Sequence, residues 1–207
     1  MIDFRNYIVA EPKEPELIAN IFPKNRLTLL HGQQGSGKTY STIKCLNGVG
    51  ITPLYIDLDG TTGISNLSLY RISQDYLLRL FEEDSESNIE GEVLIIDIYT
   101  RLVPIFEEKK WNDQEITKQL ERLVTRFNIT LIVIGHTQSY VNRDGLFHDN
   151  TTLARGAAEE LFLEKKLVKG KAATKTTKAT PSKIEYTLYI NKGRGNGGAR
   201  SIHQWMR

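Results

Sequence analysis

The sequence predicts an α/β fold with a mostly parallel central sheet, helices flanking it, and antiparallel strands near the C-terminus. Short apolar runs that end in polar residues alternate with stretches of helical periodicity, which is typical of buried parallel strands joined by helices. A glycine-rich loop joins the first run to a helix, and two strand patterns follow each other late in the chain. With 207 residues, 40% of them hydrophobic, the chain is long enough for one substantial domain. We therefore expect a single domain over residues 1–207.

The composition excludes several classes of protein. No apolar run approaches the roughly 18 residues that a membrane-spanning helix needs, and the N-terminus lacks the apolar core of a secretory signal. Cys45 is the single cysteine, so no internal disulfide can form, and we expect it to be a small core residue. These observations predict a cytoplasmic protein in a reducing compartment, without a membrane partner.

Charge is unevenly distributed between the two halves of the chain. Residues 1–100 carry 8 Lys/Arg against 14 Asp/Glu, whereas residues 101–207 carry 19 against 11. Net charges of −6 and +8 thus combine to the overall +2. The basic half is where we would look for nucleic-acid contacts, although solvated surface lysines explain such an excess equally well.

The first predicted elements lead up to the glycine-rich loop and away from it. Residues 1–25 are expected to be an irregular lead-in, because their prolines interrupt any long helix. An apolar run at residues 26–31 predicts a buried strand. Residues 40–47 predict a helix, since Ile43 and Leu46 fall on one helical face.

Between this strand and this helix, residues 32–39 fit the phosphate-loop pattern G-x-x-x-x-G-K-[ST] at all four fixed positions. Such a loop directs backbone N–H groups and the positive end of a helix dipole at phosphate oxygens. Lys38 would reach the β- and γ-phosphates of a nucleoside triphosphate, and the Thr39 hydroxyl would bind Mg²⁺. The predicted nucleotide-binding residues are Gly32, Gln33, Gln34, Gly35, Ser36, Gly37, Lys38, Thr39 and Tyr40.

Two later strand patterns end in carboxylates. A strand predicted at residues 51–57 ends at Asp57, and Asp59 follows it. Four apolar residues before Asp97 predict a buried parallel strand that ends in an aspartate. Ligands of open α/β sheets bind at the carboxyl ends of the strands. We therefore expect Asp97 to hold the water shell of Mg²⁺ opposite Thr39.

The remaining patterns complete the sheet and its helices. Strands are predicted at residues 68–72, 130–135, 161–168, 184–190 and 201–205, and helices at residues 74–83 and 111–127. The strand that ends at residue 135 delivers His136 and Gln138 to the same sheet edge. Asn112 or Asp113 is the predicted N-cap of the longer helix. Residues 169–183 are rich in lysine and low in complexity, so we expect a flexible hairpin tip there.

Four places in the chain resemble the RecA-like ATPases, and within them the DnaB-type hexameric helicases and their small stand-alone relatives. These places are residues 17–32, 55–60, 135–138, and 153–158 taken with 191–195. The resemblance implies a RecA-like core that binds ATP and Mg²⁺. It also implies a homo-oligomer, a hexameric ring or a filament, whose active sites are shared between subunits.

The resemblance assigns roles to polar residues at the sheet edge. Asp59 matches the acidic residue that polarises the attacking water, and Asp57 is the alternative because the family more often has Glu at that position. Gln138, or else His136, matches the polar residue that senses the γ-phosphate.

Lys192 and Arg194 resemble the Lys-x-Arg pair that reaches the γ-phosphate of a neighbouring subunit in DnaB-type helicases. A cation at that place neutralises charge on the transferred phosphoryl oxygens. The alternative is a glycine-rich turn with incidental cations. The full predicted catalytic set is Lys38, Asp59, Asp97, Gln138, Lys192 and Arg194.

Two loops mix cations with an aromatic side chain, the combination that grips phosphates and stacks bases of single-stranded DNA. They cover residues 105–111 and 140–148. With Arg155, which matches an interface or DNA contact of the family, the candidate DNA-binding residues are Lys109, Lys110, Trp111, Arg143, Phe147 and Arg155. Trp111 and Phe147 are equally candidates for the hydrophobic core.

The leading hypothesis for function is an oligomeric, ATP-hydrolysing DNA motor, similar to a helicase and acting on single-stranded DNA in replication or recombination. The first alternative is a recombinase or annealing mediator built on the same core, which coats single strands without unwinding duplexes. A small-molecule kinase and a regulatory ATPase that controls a protein partner are further alternatives, because phosphate loops occur in both.

Overall fold

The computed structural model of the chain describes residues 16–60, 64–82, 89–106, 110–136, 152–157, 159–169, 182–192 and 198–201. For residues 152, 183, 191, 192 and 198–201 it describes the backbone alone. Within these ranges, none of the helices is both long and apolar enough to cross a membrane.

The strands are β1 (Leu17–Ile18), β2 (Phe22–Pro23), β3 (Leu27–His31), β4 (Leu54–Asp57), β5 (Tyr70–Arg71), β6 (Val93–Asp97), β7 (Thr130–Ile134), β8 (Glu159–Val168), β9 (Lys183–Lys192) and β10 (Gly198–Ser201). The helices are α1 (Lys38–Gly48), α2 (Gln74–Leu80), α3 (Tyr99–Ile105), α4 (Asp113–Phe127) and α5 (Thr152–Gly156).

Eight strands form one sheet in the order β10-β9-β8-β3-β7-β6-β4-β5. Every neighbouring pair from β8 to β5 is parallel, whereas β8, β9 and β10 pair antiparallel. The predicted fold class, a mostly parallel sheet with antiparallel strands near the C-terminus, is therefore confirmed. Because β3, β4, β6 and β7 are parallel, the residues that follow them meet at one edge of the sheet.

Side chains of the central strands alternate between two hydrophobic layers, as β6 illustrates. Val93 and Ile95 face the layer that contains α1 and the β1–β2 pair. Leu94 and Ile96 face the layer that contains α2, α3, α4 and α5. All four side chains are buried, which explains why this strand has an uninterrupted apolar sequence.

The longest helix begins where the sequence predicts. The Asn112 side chain accepts a hydrogen bond of 3.0 Å from the backbone N–H of Glu115 and so caps α4. The helix ends at Phe127. The C-cap residue that follows, Asn128, has a left-handed backbone (φ 52°), which stops the helical repeat. The buried apolar residues of α4, Ile116, Leu120, Leu123 and Val124, follow each other at helical spacing and form one face.

The lead-in was expected to be irregular, and this prediction is wrong for its second half. β1 and β2 pair antiparallel around a turn in which Ala19 and Asn20 have positive φ angles. Ile18, Ile21 and Phe22 are buried against α1. Prolines exclude a long helix but not a short strand pair, so the prolines alone could not predict the β1–β2 pair.

Three other elements differ from the sequence-based expectation. The helices α3 and α5 were not predicted. The strand β10 begins at Gly198 rather than at residue 201, because Gly198 already pairs with Ile190 of β9. Residues 202–205 of the predicted last strand lie outside the described residues, as do residues 170–181 of the lysine-rich segment. The end of that segment, Lys183, is the first residue of β9.

Candidate nucleotide-binding site

The glycine-rich loop connects the end of β3 to the start of α1. Gly37 has a left-handed backbone (φ 85°) at the N-cap of α1, and no side chain among the described residues caps this helix. Its first N–H groups are therefore available to an anion. A β-carbon on Gly32 would lie 2.5 Å from the Leu163 carbonyl oxygen, so only glycine allows the loop to pass this close to β8.

Lys38 is buried under the loop, and only 4% of its surface is exposed. Its Nζ donates hydrogen bonds of 2.9 Å to the carbonyl oxygens of Gly32 and Gln33, and it lies 3.4 Å from His136 Nδ1. Burial lowers the pKa of Lys38 to about 8, although Asp97 and Asp59 act in the opposite direction. The loop carbonyls thus occupy the ammonium group that a phosphate would otherwise attract.

Thr39 and Asp97 meet at the sheet edge. The Thr39 hydroxyl donates a hydrogen bond of 2.5 Å to Asp97 Oδ2, and the Tyr55 hydroxyl donates one of 3.0 Å to the same oxygen. Hydroxyl and carboxylate oxygens are hard ligands of the kind that Mg²⁺ prefers. Among the described residues, no group of three or more His, Cys, Asp and Glu side chains could hold a metal. The chemistry of this hydroxyl and this carboxylate fits Mg²⁺ that would take its other ligands from phosphate and water.

The two acidic residues after β4 have different surroundings. Asp57 accepts a hydrogen bond of 2.9 Å from Arg71 Nη1 on β5. Asp59 Oδ2 lies 4.0 Å from Nε2 of His136, which comes two residues after the end of β7. Of the two carboxylates, Asp59 therefore shares its surroundings with Lys38 and His136.

His136 follows β7 at the same sheet edge, with about a third of its side chain exposed. Burial and the nearby Lys38 ammonium lower the pKa of His136, and Asp59 and Asp97 raise it by a smaller amount. The lowered pKa favours the neutral form of the imidazole.

Several predicted site residues lie outside the described residues. These are Lys109, Gln138, Arg143, Phe147 and Arg194. Lys192 is placed only by its backbone, as the last residue of β9 and the register partner of Glu160. The roles of these residues stay predictions.

The described DNA-binding candidates lie around α4 and α5. Lys110 is exposed before α4, and Arg155 is exposed on α5. Trp111 is half-buried, and its ring stacks on Phe106 at a centroid distance of 4.8 Å. It also makes an edge contact with Phe81, so Trp111 belongs to an aromatic cluster of the core.

The structure also places residues at the site that sequence reasoning missed. His31 Nε2 and Glu160 Oε1 form a buried contact of 2.9 Å directly before the loop. Lys165 Nζ of β8 donates a hydrogen bond of 3.3 Å to the Gly35 carbonyl oxygen. Tyr55, already described, contacts Asp97. One signal in the sequence could have indicated Tyr55. Side chains two residues apart on a strand face the same side, so Tyr55 faces the same side as Asp57, which aligns with Asp97 in the β4–β6 pair.

Several solved structures have a similar fold. The RadB recombinase superposes with a TM-score of 0.57 and 15% sequence identity over 87% of both chains. A DnaB-like replicative helicase gives 0.54 and 12% over 86% of this chain and 54% of that chain. The flagellar accessory protein FlaH from Methanocaldococcus jannaschii gives 0.50 and 14% over 83% and 80%.

The chain carries a phosphate-loop motif between β3 and α1 of a mostly parallel sheet. Its fold is that of the RecA-like P-loop ATPases, as the similarity to these three proteins shows. No protein-family model matches the chain, and no curated protein matches its sequence. A recombinase, a helicase and a flagellar accessory protein share the fold, so function has to be argued from the site.

The lowered pKa of Lys38 predicts a pH dependence of nucleotide binding. Below about pH 8 the ammonium is already charged. Above it, binding a phosphate must draw a proton onto Lys38, so affinity is lost as pH rises, by up to about tenfold per pH unit. We expect this loss when a fluorescent ATP analogue is titrated without divalent metal between pH 7 and 9.5.

The Lys38→Arg variant is the matched control. Its guanidinium stays charged over the whole range, so whatever affinity it has should not change with pH. A wild-type affinity that stays constant up to pH 9.5 would show that Lys38 is fully charged without nucleotide.

Proposed function

We propose that the protein binds ATP with Mg²⁺ at this sheet edge and hydrolyses it. The observation that carries the proposal is the meeting of side chains from the start of α1 and from the carboxyl ends of β4, β6 and β7. Lys38 lies beside His136, Thr39 contacts Asp97, and Asp59 faces His136. A cation for the phosphates, a pair of oxygen ligands for a metal and a carboxylate that can take a proton from water are what phosphoryl transfer to water requires.

Each residue has a step that its position supports. Lys38 exchanges the loop carbonyls for β- and γ-phosphate oxygens, and its charge compensates theirs. Thr39 and Asp97 would hold Mg²⁺, which when bound neutralises charge on the phosphates. Asp59 orients a water molecule and accepts its proton as the water oxygen bonds to the γ-phosphorus. The bond from that phosphorus to the bridging oxygen breaks, and ADP and phosphate leave.

The larger role that we propose is a DNA motor that works as a homo-oligomer on single-stranded DNA. Similarity of fold to a DnaB-like replicative helicase supports it, as does the net charge of +8 on residues 101–207. Lys192 and Arg194 would act on the γ-phosphate bound by a neighbouring subunit. Lys110 and Arg155 would contact DNA phosphates, together with the candidates in the two loops.

A recombinase or annealing mediator is the second candidate function. The fold similarity to the RadB recombinase supports it to the same extent as the similarity to a DnaB-like helicase supports a motor. Both candidates use the same nucleotide site, so they differ in what ATP hydrolysis does to DNA rather than in how ATP is bound.

Substitutions of the two acidic residues test the assignment of the base. Asp59→Asn should lower kcat about 10²–10⁴-fold and leave nucleotide affinity nearly unchanged, because it removes only the proton acceptor. Asp57→Asn is the matched control, since Asp57 pairs with the half-exposed Arg71. It should change kcat by less than about threefold. Steady-state ATPase assays decide, and a greater loss with Asp57→Asn would move the role to that residue.

Mixing two inactive variants tests whether subunits share active sites. Arg194→Ala should abolish turnover but keep nucleotide binding, and Lys38→Ala should abolish turnover from the other half of the site. An equal mixture should regain part of the activity, because some interfaces then combine two intact halves. Lys38→Ala mixed with Asp97→Ala should regain none, since both changes fall on the same half. Equal activity of the two mixtures would contradict a shared site.

Unwinding separates the two candidate functions. On a forked duplex, a helicase-like motor should release the labelled strand only with hydrolysable ATP, and Lys38→Ala should be inactive. A mediator should instead speed annealing of complementary strands and leave the fork intact. DNA binding should weaken steeply with salt in both cases, and the absence of any DNA affinity at low salt would contradict both.

A further inference from the structure

We propose that Tyr55 is a positioning residue that fixes the Asp97 carboxylate for Mg²⁺. This inference rests on the proposed function, because it concerns the same metal-binding pair. It adds a residue that neither the phosphate loop nor the acidic strand ends point to.

The hydroxyl of Tyr55 reaches Asp97 from inside the protein. Tyr55 lies on β4 and is completely buried, and its hydroxyl is 3.0 Å from Asp97 Oδ2. Asp97 itself is only 3% exposed. A buried carboxylate needs donors to offset its lost hydration, and Tyr55 supplies one that solvent cannot replace.

Two donors meet on one oxygen of Asp97, but they are not equivalent. The Thr39 hydroxyl, 2.5 Å away, is also the predicted ligand of Mg²⁺, so its contact with Asp97 must rearrange when the metal is bound. The Tyr55 hydroxyl is not a predicted ligand of Mg²⁺. It can therefore hold the carboxylate in one orientation both before and after the metal enters.

The Tyr55 ring is itself held from the edge strand. The Arg71 guanidinium lies over it at 5.5 Å from the ring centroid, and Arg71 Nη1 bonds to Asp57 at 2.9 Å. Tyr55 and Arg71 are register partners in the β4–β5 pair. A cation over an aromatic face stabilises that arrangement, so Arg71 restrains the ring whose hydroxyl restrains Asp97.

Packing alone does not explain a tyrosine at this position. Tyr55 belongs to a hydrophobic layer with Ile95 and Val93, where phenylalanine would fill nearly the same volume without a polar atom. A buried tyrosine hydroxyl has to find a partner, and here that partner is the carboxylate at the predicted metal site.

The test is Tyr55→Phe, with Tyr189→Phe as the matched control. Tyr189 makes a hydrogen bond of the same length, 3.0 Å, to the Glu164 carboxylate on β8. Purified full-length proteins are titrated with Mg²⁺ in the presence of a fluorescent, non-hydrolysable ATP analogue. The readout is the Mg²⁺ concentration that gives half of the metal-dependent gain in nucleotide affinity, and thermal unfolding verifies the fold.

We expect Tyr55→Phe to raise that Mg²⁺ concentration about tenfold or more, as loss of a partner of a metal ligand does. Nucleotide affinity without metal should stay within about twofold of wild type, since Lys38 and the loop are untouched. Tyr189→Phe should leave both quantities unchanged. An unchanged Mg²⁺ dependence in folded Tyr55→Phe protein would overturn the inference.

Should Tyr55→Phe fail to fold, Arg71→Met carries the test, because Arg71 is half-exposed. Loss of the cation over the ring should raise the required Mg²⁺ concentration about two- to fivefold. No rise in Arg71→Met would then overturn the inference. Failure of the wild type to bind the analogue in a Mg²⁺-dependent manner would instead overturn the proposed function.

Discussion

The hydrogen bond between Thr39 and Asp97 is the contact on which the site depends. It joins the start of α1 to the end of β6 across 58 residues of sequence. Because β7 lies between β3 and β6 in the sheet, the contact requires three parallel strands to be aligned at their carboxyl ends. The proposed metal-binding pair is thus a product of the whole sheet, although each of its members sits in a short local motif.

Carbonyl oxygens of the phosphate loop accept hydrogen bonds from two lysine side chains. Lys38 bonds to the carbonyl oxygens of Gly32 and Gln33, and Lys165 bonds to that of Gly35. These hydrogen bonds hold both ammonium groups against the loop. Burial of the Lys38 ammonium lowers its pKa. A triphosphate offers stronger acceptors to the same donors. Under the proposed function, nucleotide binding would therefore exchange contacts within the loop for contacts with the ligand.

Local patterns predicted most of the fold and the phosphate loop, because periodicity and fixed spacing are properties of short segments. The β1–β2 pair escaped prediction because the prolines of the lead-in exclude a long helix without specifying a strand. Tyr55 and the His31–Glu160 contact escaped because they depend on which strands are neighbours. The proposal of Asp59 rather than Asp57 as the base likewise rests on Arg71, which only the strand order brings beside β4.

A crystal structure with Mg²⁺ and a non-hydrolysable ATP analogue tests the nucleotide site most directly. We expect the phosphates in the loop at the start of α1, with Lys38 Nζ moved from the carbonyl oxygens of Gly32 and Gln33 to phosphate oxygens. Thr39 and Asp97 should then flank the metal. Phosphates bound elsewhere, with Lys38 still on the two carbonyl oxygens, would contradict the proposed site.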